Sequence, residues 1–95
     1  MPKGYLIARA VVNDAAAWAE YAAAATEAQK KYGARVLARG GRTEVVEGEG
    51  RARNIVLEFD SFEAARTYAF SPEYQAAKKL RTKAGFLDMV LVEGP

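Results

Sequence analysis

An arginine followed at once by two glycines, Arg39-Gly40-Gly41, closes the apolar stretch Val36-Leu37-Ala38. A guanidinium beside bare backbone suits bidentate capture of a carboxylate or phosphate, with the glycines letting a ligand approach. The same arginine equally suits an ion pair with Glu58 on a neighbouring strand, because a charge among apolar residues needs a partner. Both readings hold if a ligand displaces the pair. Glu58 lies near the end of the run Arg53–Phe59, where desolvation would raise its carboxyl pKa and fit it as a general base. The plainer alternative is charge pairing or exposure at a rim. Ser71-Pro72-Glu73-Tyr74 invites comparison with a serine nucleophile, but the chain holds no histidine to activate the hydroxyl. Helix capping accounts for Ser71, and anion binding at that helix start is the better functional reading, although Glu73 opposes it. Trp18, Tyr21, Tyr68 and Tyr74 suit the walls of an aromatic pocket or, as most helix-face aromatics do, the core. Arg81 suits a second anion contact or a solvated charge.

The residues that are missing narrow the chemistry further. The 95-residue chain has no cysteine and no histidine. That excludes disulfides, thiolate nucleophiles and cysteine-ligated zinc, and it removes the commonest general base and haem ligand. Neither a cofactor nor a metal is therefore expected. The net charge of +2 is too mild to imply nucleic acid. Arg35, Arg39, Arg42, Arg51 and Arg53 gather around one hairpin, but Glu44, Glu47 and Glu49 sit among them without interleaved aromatics, which reads as a solvated, salt-bridged surface. No apolar run reaches the roughly 20 residues of a membrane span, and no signal-peptide pattern opens the chain, so a cytoplasmic location is expected.

These side chains must be positioned by a small set of elements. Tyr5–Val12 reads as a strand. Asn13-Asp14 then caps a helix over Ala15–Tyr32, with Trp18, Tyr21, Ala25, Ala28 and Tyr32 on one face, Lys30 and Lys31 at its negative end and Gly33 as its stop. Arg35–Arg39 is a second strand, which Thr43–Val46 is expected to continue past a bulge at the paired glycines. Glu47-Gly48-Glu49-Gly50 is a turn. Arg53–Phe59 is a third strand, with Ile55, Leu57 and Phe59 on one face. Ser61 caps a short helix to about Tyr68; Ser71, with Pro72 at the first helical position, restarts one to about Lys83. Leu87–Val92 is the last strand.

The order is βαββαβ, an α+β, ferredoxin-like arrangement in which a four-stranded antiparallel sheet carries helices on one face. A length of 95 residues implies one domain over 1–95. Water on the other face would demand alternation of apolar and polar residues. Leu6-Ile7-Ala8, Val11-Val12, Val36-Leu37-Ala38 and Met89-Val90-Leu91-Val92 are instead apolar on both faces. A second copy is the simplest cover, so a homodimer is expected.

Several stretches together resemble the bacterial family known as domain of unknown function 1330, within the dimeric α/β-barrel superfamily. They are Arg39-Gly40-Gly41, Glu58-Phe59-Asp60-Ser61-Phe62-Glu63-Ala64-Ala65, Ser71-Pro72-Glu73-Tyr74-Gln75 with Leu80-Arg81, and the Trp18-to-Tyr21 spacing. The resemblance runs from Gly4-Tyr5 to Glu93-Gly94. It implies a homodimer with two sheets packed face to face and a cleft in each subunit, but no established reaction. Superfamily relatives include cofactor-independent monooxygenases and isomerases, an analogy of fold that transmits no function by itself. The expected function is a homodimeric small-molecule-binding protein, or a cofactor-independent enzyme on a small anionic or aromatic metabolite. In the enzyme version Arg39 holds the anion, Glu58 accepts a proton, and Trp18 and Tyr74 shape the cavity. The alternative is a non-catalytic metabolite-binding or stress-related interaction module. Neither version calls for nucleic acid or membrane.

Overall fold

The computed structural model describes residues 2–95. The first strand, β1 (Gly4–Val12), leads into helix α1 (Ala15–Lys31), followed by β2 (Arg35–Arg39), β3 (Arg53–Phe59), α2 (Phe62–Ala69), α3 (Pro72–Lys79) and β4 (Gly85–Glu93). The strands form one four-stranded antiparallel sheet in the order β2-β3-β1-β4. The class is thus the expected α+β one, with an antiparallel sheet and three helices.

Local chemistry sets most of the boundaries. Asp14 Oδ1 accepts from the Ala17 amide at 3.1 Å to start α1. At the other end Gly33 adopts φ +75°, and the Ala34 amide reaches back to the Gln29 carbonyl at 3.0 Å. A left-handed glycine with that six-residue return bond is the usual way of satisfying a helix's last carbonyls. Ser61 Oγ caps α2 through the Ala64 amide, and Ser71 Oγ caps α3 through the Tyr74 amide, both at 3.0 Å. Helix α3 stops earlier than its sequence pattern predicts. Leu80, Arg81 and Ala84 close three-residue turns instead, bringing the Ala84 carbonyl to the amides of Asn13 and Asp14 at 2.7 and 3.0 Å. Tertiary bonding overrides helix propensity there.

Two expectations about the middle hairpin are corrected. Thr43–Val46 does not continue β2, and the register irregularity falls between Val36 and Ala38, not at the glycines. Gly40, at φ +67°, ends the strand by turning the chain away, leaving Thr43–Val46 with no facing strand in this subunit.

The helices cover one face of the sheet. Leu6, Ala8, Ala10, Leu57 and Phe59 point into that layer and pack with Trp18, Tyr21, Ala25, Tyr68 and Tyr74. Gly4 permits this close packing, since a Cβ there would lie 2.3 Å from the Ser61 carbonyl oxygen. The opposite face carries Tyr5, Ile7, Val56, Glu58, Phe86, Val90 and Val92. In register, Ile7 faces Val56 on one side and Val90 on the other. That face is bare: Ile7 is 36%, Val90 53% and Phe86 66% exposed.

Candidate functional site

A cleft of about 630 Å³ opens between α1 and the ends of β2 and β3. From α1 come Trp18, Tyr21 and Thr26, with Tyr21 about one turn and Thr26 about two turns beyond Trp18, which lies between them around the helix. From the strands come Arg39, Arg53 and Ile55. Sheet register explains the grouping. Arg39 lies directly opposite Ile55, and Arg53, two residues before Ile55, shares its face.

The floor is aromatic and the mouth is basic. Trp18 and Tyr21 are buried and meet edge to face, with centroids 5.1 Å apart. Arg39 Nη1 donates to Thr26 Oγ1 at 3.3 Å, and Thr26 Oγ1 donates to the Ala22 carbonyl at 2.8 Å, which fixes the guanidinium over the helix. Among the described residues neither Arg39 nor Arg53 forms a salt bridge. Glu27 is the one carboxylate lining the cleft, and it pairs along its own helix with Lys30 at 3.5 Å. Gln29 donates to the Tyr68 hydroxyl at 3.4 Å, which leaves its buried Oε1 without a partner. The cleft thus offers two guanidiniums without salt-bridge partners and an aromatic wall, a set suited to holding a planar anion. The spare Gln29 acceptor suits a donor group on the same ligand, not its charge. Gly40 and Gly41 have open space where a Cβ would stand, so Gly40 serves here through its positive φ.

The residues singled out from sequence do not all meet in this cleft. Arg39 and Trp18 line it. Tyr74 and Arg81 line a separate cavity between α3 and β4. Ser71 is buried and fully engaged, donating to the Tyr68 carbonyl at 2.7 Å while capping α3. Glu73, expected to repel an anion there, accepts from Tyr32 at 2.7 Å and is paired with Lys31.

Glu58 follows its plainer reading, charge pairing, but with a different partner. It lies on the open face, it is bonded to Arg35 and not Arg39, and its carboxyl is held below the ordinary carboxylate value. The Arg35 Nε bond at 2.8 Å is the chief cause, followed by the bond from the Tyr5 hydroxyl at 3.1 Å. Register accounts for the switch, because Arg35 is the residue directly opposite Glu58. A carboxylate stabilised in its charged form is a poor general base. The tyrosines are held the other way: burial pushes the Tyr21 phenol far up and that of Tyr68 to about 12. Both stay neutral at ordinary pH. Among the described residues no cluster of three acidic side chains gathers to hold a metal, and no helix is long and apolar enough to cross a membrane.

Thr26, Gln29 and Arg53 line the cleft without having been singled out from the sequence, Arg53 because it reads there as part of a solvated hairpin. Its signal was present, since Arg53, Ile55, Leu57 and Phe59 alternate along one strand and must share a face.

A family model described as domain of unknown function (DUF1330) matches residues 3–95. No curated protein matches the chain. Among solved structures, a protein of unknown function from Rhodopseudomonas palustris is similar, with a TM-score of 0.78 at 18% identity over 99% of this chain and 82% of that one. A dimeric protein of unknown function with a ferredoxin-like fold from Bacteroides fragilis has a TM-score of 0.62 at 17% identity over 96% and 93%. A dimeric ferredoxin-like protein of unknown function from Thermobifida fusca gives 0.52 at 17% identity over 97% and 89%. At these identities the likeness concerns the fold alone.

Proposed function

The chain belongs to the family described as domain of unknown function 1330, and on that premise we propose that it is a homodimeric single-domain protein that binds a small planar carboxylate in the Arg39–Arg53 cleft. The carrying observation is the pair of guanidiniums, neither salt-bridged among the described residues, at the mouth of an aromatic-floored cleft. The dimeric relatives from Bacteroides fragilis and Thermobifida fusca support pairing, as does the apolar open face of the sheet. Two sheets packed through those faces make a dimeric α/β barrel and leave each cleft free, because the cleft lies on the helix-covered side.

Binding is favoured over catalysis. Among the described residues the one carboxylate at the cleft is the exposed Glu27, and Glu58 sits across the sheet with its charged form stabilised. A cofactor-independent reaction needs a base at the substrate, and Glu27, exposed and paired along its own helix with Lys30, is poorly placed to serve as one.

Trp18 is the chain's one tryptophan and lines the cleft, so its fluorescence reports occupancy. Benzoate and 4-hydroxybenzoate should change that fluorescence saturably. At ten times its Kd a ligand adds about 1.4 kcal/mol, raising Tm by roughly 6–11 °C in a domain this small. Arg39→Ala and Arg53→Ala should each weaken binding about tenfold or more while leaving the fold intact. Unchanged affinity in both variants, or a flat native titration with every aromatic acid, would overturn the assignment.

A further inference from the structure

We propose that the cavity between α3 and β4 is a second, separate site, which takes a short aliphatic monocarboxylate. Its floor is made by Leu87, Met89 and Leu91 of β4 with Tyr74 of α3, and two cations, Lys78 and Arg81, stand over it. No carboxylate among the described residues lines this cavity. Among the described residues neither cation forms a salt bridge. Arg81 Nε is enclosed without an acceptor, and a buried donor left unpaired is destabilising until something accepts from it. The guanidinium is held in place because it stacks 5.3 Å from the centroid of the Tyr21 ring. A fixed, planar, unpaired fork above an aliphatic floor matches a carboxylate head with an apolar tail.

Size sets the tail. The cavity holds about 250 Å³, the space of roughly eight waters, which suits a straight chain such as hexanoate. The walls also separate this site from the first. The β4 floor of this cavity, Leu87, Met89 and Leu91, is aliphatic, with Phe70 and Tyr74 on its helical side and the Tyr74 hydroxyl already bonded to Tyr21 at 2.9 Å. The Arg39 cleft is walled by Trp18 and Tyr21. Aliphatic and aromatic acids should therefore sort between them.

The chain carries its own reporters. Its two methionines are Met1 and Met89; Met89 lines the α3–β4 cavity, whereas Trp18 lines the other cleft. Protein labelled at the methionine methyls, with the Met89 signal assigned through Met89→Leu, would be titrated with hexanoate and with hexanol while Trp18 fluorescence is followed. The expected result is a saturable shift of the Met89 methyl with hexanoate, weakened about tenfold in Arg81→Gln, weakened also in Lys78→Gln, and small with hexanol. Lys78 is exposed, so Lys78→Gln keeps the question decidable if Arg81→Gln unfolds. The proposal is overturned if Met89 stays still, if hexanol shifts it as strongly, or if Lys78→Gln and any folded Arg81→Gln bind as the native chain does. It is also overturned if hexanoate moves Trp18 in place of Met89. Failure here leaves the benzoate response at Trp18 untouched, so the two sites stand or fall separately.

Discussion

The hydroxyls of Tyr21 and Tyr74 meet at 2.9 Å inside the core, each the partner of the other. Such a pair is sensitive to asymmetry. Tyr21→Phe leaves the Tyr74 hydroxyl buried and unpaired, which costs about 1–3 kcal/mol, whereas removing both hydroxyls removes the unmet need. The double variant Tyr21→Phe/Tyr74→Phe should therefore lose less stability than the two single losses added together. Urea unfolding of the four proteins of the cycle checks this; simple additivity would show that water or another group satisfies the orphaned hydroxyl. At this scale the sequence was legible in part. Arg39 and Trp18 could be placed near one cavity because each sits on a regular element with a readable face. Arg53 carried the same signal, masked by the acidic residues around its hairpin. The Glu58 partner was not readable, since it depends on the register of β2 against β3, and the one-residue irregularity between Val36 and Ala38 is what sends Arg35 and Arg39 to opposite faces.

Among the elements, the α1–α3 contact is tied by one carboxylate. Glu73, in the first turn of α3, accepts from Tyr32 just past the end of α1 and pairs with Lys31 in its last turn. Lys31 first, then Tyr32, holds the Glu73 carboxyl at about 2 against an ordinary 4.5. A depressed carboxylate pKa adds stability that is fully present above the ordinary value and is lost as pH falls toward the depressed one. Folding should thus weaken between about pH 5 and pH 2. Lys31 is exposed, so solvent screens the pair and the effect is small. In Glu73→Gln the loss of Tm between pH 5 and pH 3 should be visibly smaller than in the native chain, with the remainder owed in part to Glu58 and its Arg35 bond. Equal acid slopes in both proteins would remove the Glu73 clamp from the account. Helix ends such as these were legible because caps are local: Asp14, Ser61, Ser71 and Gly33 each act within a few residues of themselves. Thr43–Val46 was misread for the converse reason. Its residues favour a strand, but strand formation needs a neighbour, and Gly40 turns the segment away from β3.

For the molecule as a whole, surface area argues for a partner. The accessible surface is 6245 Å² for a mass of 10.3 kDa. A folded monomer of that mass typically exposes about 5,400 Å². The excess, roughly 850 Å², is close to the ~800 Å² that each partner buries in a standard interface. The shape agrees, since the Cα envelope measures 38 × 34 × 17 Å, a sheet with a single layer of helices and nothing on its far side. Ile7 is the place to test this. It lies on β1, an inner strand of the sheet, between Val56 and Val90. In a two-fold dimer built on that face, Ile7→Glu brings a pair of like charges into an apolar contact. On the monomer alone the change is mild, because Ile7 is already partly in water. The native chain should sediment at twice 10.3 kDa with a Tm that rises with concentration, and Ile7→Glu should sediment as one copy with a lower, concentration-independent Tm. Ala19→Glu, on the exposed side of α1, should keep the native mass. A native chain that sediments as one copy, or an Ile7→Glu variant that stays paired and equally stable, would mean that something other than this sheet face supplies the missing cover. The apolar runs in β1 and β4 would then need a different partner, because water cannot satisfy them on both sides at once.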